Sequence, residues 1–151
     1  MCCERDTTLA KLVWASFSKL PRILDAKPHL QVALPRLLTE YRKTPVTLQD
    51  LRSEWRGGGG LWIAEDRHQL VGLLRMDPFR TYWRLSSFVL NPIYRGKGMG
   101  ETMLRVATTS VVDPVSLQVL QDNPARKLYE SCGFEEDCVS DGRSLMTLRY
   151  K

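Results

Sequence analysis

Arg95, Gly96, Lys97, Gly98 and Gly100 lie close enough together to do phosphate chemistry. The apolar run from Leu85 to Leu90 leads into them. Met99, Met103, Ala107 and Val111, spaced by four, leave them with Leu104 on the same side. That pattern reads strand, tight glycine turn, helix. Gly98 and Gly100 carry no side chain to block a ligand and can take positive φ. Backbone N–H groups at a helix start lack intrahelical partners, and the helix dipole adds partial positive charge there. A phosphate fits such an end, and Arg95 and Lys97 would add formal charge beside it.

Known phosphate loops differ in spacing. A Walker A loop needs Gly-Lys followed by Ser or Thr, but Gly98 follows Gly96-Lys97. A dinucleotide fingerprint needs G-x-G-x-x-G, whereas Gly96, Gly98 and Gly100 make G-x-G-x-G. No acidic residue ending a second strand stands some twenty positions on. What remains is R-x-x-G-x-G, from Arg95, Gly98 and Gly100. It resembles the acetyl-CoA pyrophosphate loop of the GCN5-related N-acetyltransferases, the GNAT family. Downstream, Asn123-Pro124-Ala125-Arg126-Lys127-Leu128-Tyr129-Glu130-Ser131-Cys132-Gly133-Phe134 is similar to the family's N-x-A-x-x-L-Y-x-x-x-G-F segment. The two motifs come in the family's order, with room for one helix and one strand between them. Together they span Leu85 to Phe134, about a third of the chain.

The resemblance implies acetyl transfer from acetyl-CoA to an amine by direct attack, without a covalent enzyme intermediate. It implies that Gly96, Lys97, Gly98, Met99, Gly100 and Glu101 hold the pyrophosphate by backbone N–H groups, with Arg95 beside them. Phe88 and Leu90 end the strand that gives the family's backbone bonds to pantetheine; Leu90 stands where Val is more usual. Asn123 matches an asparagine that contacts the cofactor arm, and Asn before Pro is also a common helix cap. Tyr129 matches the tyrosine that gives a proton to the leaving sulfur, a task suited to a phenol of pKa ~10. Many relatives place a Glu on the strand feeding the loop. Here that strand reads Tyr82-Trp83-Arg84-Leu85-Ser86-Ser87-Phe88, with no acid. Ser86 or Ser87 could orient a water instead. Glu65, Asp77 and Asp122 are remote candidates for a base, and Glu40 and Glu54 depend on how the N-terminal helices fold back.

These residues need elements to hold them. The spacing of Leu9, Leu12, Val13, Phe17 and Leu20 predicts a helix over Thr7 to Lys19, capped by Asp6 or Thr7. No strand is evident before it, although many family members have one. A second helix is expected from His29 to about Arg42, with Pro35 kinking or splitting it. Thr47 and Asp50 mark the start of a third. Trp14, Phe17, Tyr41 and Trp55 fit either the core or a substrate cleft. Gly57 to Gly60 reads as a connector. Leu61 to Ala64, Leu70 to Met76 and Tyr82 to Leu90 read as an antiparallel meander, with Gly72 marking a bulge or close packing. Val115 to Leu120 follows the crossover helix and should lie parallel to the strand before it. Asn123 to Cys132 is a short helix closed by Gly133. A hairpin about Asp141-Gly142 ends the chain. The expectation is an α/β (α+β) GNAT fold. Its mixed, mostly antiparallel twisted sheet of six or seven strands has a parallel pair around the cofactor loop. A single domain over 1–151 would divide into a helical acceptor side, 1–56, and a sheet core, 61–150.

At 151 residues, 43% hydrophobic and 26% charged, the composition suits one globular domain. No apolar run approaches the ~20 residues of a membrane span, and Glu4, Arg5 and Asp6 argue against a signal peptide. Cys2-Cys3, Cys132 and Cys138 form no C-x-x-C pair, and His29 and His68 are isolated, so no metal is expected. A cytoplasmic protein is the simple reading. The formal charge of +5 suits a polyanionic cofactor and disfavours polycationic acceptors. The acceptor is expected to be an amine on a small molecule, peptide or protein; homodimerisation is left open. Two alternatives stand: a GNAT toxin-like acylation of aminoacyl-tRNA, and a non-catalytic CoA-binding module serving as sensor or scaffold.

Overall fold

The computed structural model of the protein describes residues 13–14, 24–25, 27–54, 59–67 and 69–151. The first described elements are β1 (Val13–Trp14), α1 (Leu30–Arg42) and α2 (Leu48–Glu54). A meander follows: β2 (Gly60–Asp66), β3 (Gln69–Pro78) and β4 (Trp83–Leu90). The last part of the chain is α3 (Met99–Thr109), β5 (Val115–Leu120), α4 (Ala125–Ser131), β6 (Glu135–Ser140) and β7 (Arg143–Leu148). The described strands make one mixed sheet in the order β1-β2-β3-β4-β5-β7-β6. All neighbours are antiparallel except β4 and β5, which are parallel as the helical crossover between them requires. The expected mixed α/β class and parallel pair are borne out.

The N-terminal reading is corrected. Val13 and Trp14 do not continue a helix; they form β1, pairing with Ala64 and Ile63 of β2. A β-branched and an aromatic residue favour a strand, and β1 covers a β2 edge that would otherwise present unpaired backbone. The rest of the expected helix, with Phe17 and its Asp6 or Thr7 cap, lies outside the described residues, as do Cys2, Cys3, Trp55, Gly57, Gly58 and His68.

Pro35 does not split α1, which runs unbroken through it. A helix-interior proline costs about 3 kcal/mol. Leu30, Leu34, Leu37 and Leu38 are all buried on the inner face of α1, each contributing roughly 1.5–3 kcal/mol, so burial outweighs the penalty. Thr47 and Asp50 form the expected capping box at α2: Thr47 N–H donates to Asp50 Oδ2 at 2.9 Å, and Asp50 N–H to Thr47 Oγ1 at 3.1 Å. Those bonds hold the Asp50 carboxyl below its ordinary pKa. In the β6–β7 turn both Asp141 (φ 53°) and Gly142 (φ 73°) are left-handed, the geometry of a two-residue hairpin.

The sheet has a core on each face. Met103, Leu104 and Ala107 of α3 and Tyr129 of α4 pack with Trp62, Leu74, Leu117 and Met146 on one side. Leu34, Leu38 and Leu51 pack with Ile63, Leu73 and Val89 on the other. Gly72 is needed where α3 crosses β3. A Cβ there would lie 2.6 Å from the Val89 carbonyl oxygen and 3.1 Å from Met103 Sδ. No helix among the described residues is long and apolar enough to cross a membrane.

Candidate active site

The site begins where the parallel pair fails. β4 meets β5 only at Trp83 and Arg84, opposite Val115 and Ser116. Just beyond, Arg75 pairs with Ser87 and Met76 with Leu85, which leaves Ser86 as an extra, bulged residue in β4. A bulge bends its strand, and past this one β4 and β5 separate. The register then says which backbone groups are left over. Asn91 N–H donates to the Val71 carbonyl at 2.7 Å while Leu90 stands opposite Gly72. Leu90 and Gly72 are therefore a non-hydrogen-bonded pair, and so are Phe88 and Leu74 two positions back. The N–H and C=O groups of Phe88 and Leu90 point away from β3, toward the gap left by β5.

The glycine turn sits at the mouth of that gap. Gly96 (φ 74°) and Gly98 (φ 77°) are both left-handed, which an L side chain rarely adopts. Gly98 caps α3, whose first backbone bond runs from Thr102 N–H to the Gly98 carbonyl at 3.2 Å. The N–H groups of Met99, Gly100 and Glu101 precede that bond and have no intrahelical partner. The Glu101 carboxylate is occupied by Arg105, 2.9 Å away. Lys97 Nζ lies 5.5 Å over the Tyr94 ring. Arg95 forms no ion pair among the described residues.

Two residues without an expected role pin this turn. Asn91 donates from Nδ2 to the Leu70 carbonyl at 2.9 Å and accepts at Oδ1 from Ile93 N–H at 3.3 Å. The buried Tyr94 hydroxyl donates to Gln69 Oε1 at 2.9 Å and lies 3.3 Å from Asp66 Oδ2; burial and that carboxylate push its pKa up. An Asn-Pro pair is a signal by which Asn91 could have been found; nothing local signals that Tyr94 meets Asp66 and Gln69.

The Leu-Tyr-x-x-x-Gly-Phe segment closes α4 and aims its tyrosine. Gly133 (φ 98°) is left-handed; its N–H donates to the Glu130 carbonyl, and Phe134 N–H donates to the Tyr129 carbonyl, both at 3.0 Å. This is a Schellman ending, and its glycine cannot readily be replaced. The Phe134 ring stands edge-on to Tyr129, with centroids 5.8 Å apart. Tyr129 is buried, and that burial pushes its phenol up to about 12, with Tyr41 adding to the effect. No described residue bonds its hydroxyl. Asn123 caps the other end, its Oδ1 accepting from Ala125 N–H at 2.9 Å.

Phe88, Leu90, Arg95, Gly100, Asn123 and Tyr129 line one cleft of about 490 Å³, together with Tyr41. A second cavity of about 670 Å³ adjoins it, sharing Tyr41, Leu90 and Arg95, and extends along the C-terminal end of α1. The expected serines join neither. The Ser86 hydroxyl donates to Asp77, which also pairs with Arg75. Of the acids considered as a base, Glu65 is buried between Lys27 (2.8 Å) and His29 (2.6 Å), and Glu54 is held by Arg42. Glu40 lines the second cavity. Tyr41 lines both cavities; Trp14, Phe17 and Trp55 offer no described side chain. No group of three His, Cys, Asp or Glu that could hold a metal ion lies among the described residues.

The acetyltransferase (GNAT) domain description matches residues 57–136, more than half of the chain. No curated protein matches the sequence. Solved structures match it by shape. The aminoglycoside 6'-N-acetyltransferase from Enterococcus faecium superposes with a TM-score of 0.70 at 15% identity, over 91% of this chain and 96% of that one. The PaiA N-acetyltransferase from Thermoplasma acidophilum, in complex with coenzyme A, gives 0.62 at 16%, over 91% and 99%. The ribosomal-protein-alanine N-acetyltransferase from Brucella melitensis gives 0.62 at 23%, over 92% and 99%. At these identities the likeness is one of fold. The matched domain holds both the glycine turn and the Asn123 to Phe134 segment, and the chain belongs to the GNAT acetyltransferase family.

Proposed function

We propose that this chain moves an acetyl group from acetyl-CoA to an amine by direct attack. The observation that carries the reading is the cleft at the parting of β4 and β5, which gathers Phe88, Leu90, Gly100, Asn123 and Tyr129. The cleft suits coenzyme A. Phe88 and Leu90 turn spare backbone groups toward it. A Cβ on Gly100 would meet Leu128, Phe88 and Leu90 at 3.5–3.8 Å, so the helix start offers the cleft backbone rather than side chain. Gly96 to Glu101 would hold the pyrophosphate by N–H groups, with Arg95 and Lys97 supplying charge. Phe88 and Leu90 would bind the pantetheine arm in the manner of a missing strand, and Asn123 would donate its amide N–H groups to it.

When bound, acetyl-CoA supplies a thioester whose carbonyl carbon takes the amine nitrogen as the thiolate departs, later taking a proton from solvent. The chain aligns the two partners, which alone can contribute about 7–11 kcal/mol. Tyr129 presents an O–H with no competing partner among the described residues. Its pKa of about 12 stands well above that of a thiol. Full transfer across roughly 3.5 pH units would be uphill by about 5 kcal/mol, so the phenol serves mainly as a hydrogen-bond donor to the developing thiolate. The nitrogen's proton leaves through water to Glu40 or to solvent.

Calorimetric titration with acetyl-CoA, with ATP and NAD as controls, tests the reading. Micromolar binding of acetyl-CoA alone is expected; no binding by folded protein would refute it. Tyr129→Phe should keep that affinity and lower kcat by about 10²-fold. Unchanged turnover would remove Tyr129 from the chemistry.

A further inference from the structure

We propose that the acceptor is an amine that also carries a carboxylate, of the size of a free amino acid, held between Glu40 and Lys43 in the 670 Å³ cavity. The inference rests on the acetyl-transfer reading and names its acceptor class. The cavity and the cofactor cleft share Tyr41, Leu90 and Arg95, so an amine bound in one reaches the seam with the other.

Among the described residues, three charged side chains line the cavity: Glu40, Lys43 and Arg95. None forms an ion pair among the described residues. Arg42 and Glu54, on the same helical hairpin, pair off with each other at 2.8 and 3.1 Å. The hairpin therefore satisfies one pair of charges internally and leaves Glu40 and Lys43 without a counter-ion among the described residues at the cavity wall. Arg95 belongs beside the pyrophosphate. That leaves one anion and one cation for the acceptor, an arrangement complementary to an ammonium and a carboxylate on one small molecule.

Lys43 also occupies a backbone conformation that folding does not require of a lysine. It is left-handed (φ 61°, ψ 21°) at the end of α1, a position that favours glycine. The cap bond there, Lys43 N–H to the Thr39 carbonyl at 3.0 Å, uses only backbone. Strain kept at a cavity wall is a pointer to function. The loop beyond is held in place: Val46 N–H donates to Thr39 Oγ1 at 2.9 Å. The site is thus preorganised. Polycationic acceptors are disfavoured, because the described lining presents them with two cations and one anion.

The test is thiol release from acetyl-CoA by the full chain, with free L-amino acids set against their α-amides and against polyamines. The α-amide has the more weakly basic amine and the larger neutral fraction, so intrinsic reactivity favours it. The free acids should nonetheless be preferred by roughly 10- to 100-fold in kcat/KM, through KM, as one charge-assisted bond predicts. Lys43→Gly, which the left-handed backbone accepts, should bring the free acid down to its amide, and Lys43→Arg should keep the preference. Equal use of acids and amides, activity on polyamines alone, or acetyl-CoA binding with no acid accepted would overturn this inference and leave the transfer reading standing. Failure to bind acetyl-CoA would overturn both.

Discussion

Gly100→Ala separates stability from function at the glycine turn. Gly100 is the second residue of α3 and is not among the left-handed glycines. Alanine can therefore adopt its backbone, and in a helix that change stabilises by roughly 0.5–1 kcal/mol. The new Cβ would sit 3.5 Å from Leu128 Cδ2, 3.7 Å from Phe88 Cζ and 3.8 Å from Leu90 Cδ2, ordinary van der Waals contacts that add to the gain. At about 2–4 °C per kcal/mol for a chain of this size, Tm should rise by about 1–4 °C. The same methyl enters the cleft beside the N–H proposed to meet a phosphate. Losing one charge-assisted hydrogen bond costs about 1.5–3 kcal/mol. At about 1.4 kcal/mol per decade, acetyl-CoA affinity should weaken by roughly 10- to 150-fold. Thermal scanning and calorimetry on one preparation measure both. A raised Tm with unchanged affinity would refute the close approach of cofactor to backbone at Gly100. A lowered Tm would refute the packing account.

Gly98→Glu should abolish acetyl-CoA binding by setting a carboxylate beside the pyrophosphate position, and its positive φ should cost about 1–2 kcal/mol of stability; tight binding by the folded variant would contradict the cradle. Gly133→Ala meets both a φ of 98° and Leu148 Cδ1 at 3.1 Å. It should lose about 1–2 kcal/mol in denaturant unfolding and lower kcat by tilting Tyr129. Stability should also fall in alkali. The folded Tyr129 phenol, at about 12, stands above its unfolded value of ~10. Its contribution is then fully present below pH ~10 and disappears as pH rises through ~12, a loss of about 2–3 kcal/mol. Denaturant midpoints at pH ~9 and ~11.5 should separate more in the wild type than in Tyr129→Phe, and an equal separation would sink this account.

Both halves of the proposed cofactor cleft were legible because local chemistry dictates them. Gly96 and Gly98 supply positive φ, and a helix must leave its first N–H groups open whatever surrounds it. The Leu-Tyr-x-x-x-Gly-Phe run encodes a Schellman ending, which orients Tyr129 from within ten residues of sequence. The Thr47–Asp50 box and the Asp141-Gly142 turn were readable for the same reason. Pro35 and Val13–Trp14 were not. A helix carrying four buried leucines tolerates a proline that its local pattern forbids, and a two-residue strand exists only because β2 offers it an edge.

The proposed acceptor side belongs to tertiary structure. Ser86 is an unremarkable serine until the β3–β4 register leaves it over as a bulge, and its hydroxyl then turns to Asp77 rather than to the cleft. Glu65, Glu54 and Glu40 are equivalent as letters. Burial against Lys27 and His29 fixes the first, Arg42 takes the second, and the third faces a cavity with no ion pair among the described residues. Sequence by itself determined the backbone devices, since capping, turn geometry and periodicity act over a few residues. Which charges are neutralised, and which remain to meet a substrate, was decided by contacts between residues up to 38 positions apart, because an ion pair depends on distance in space.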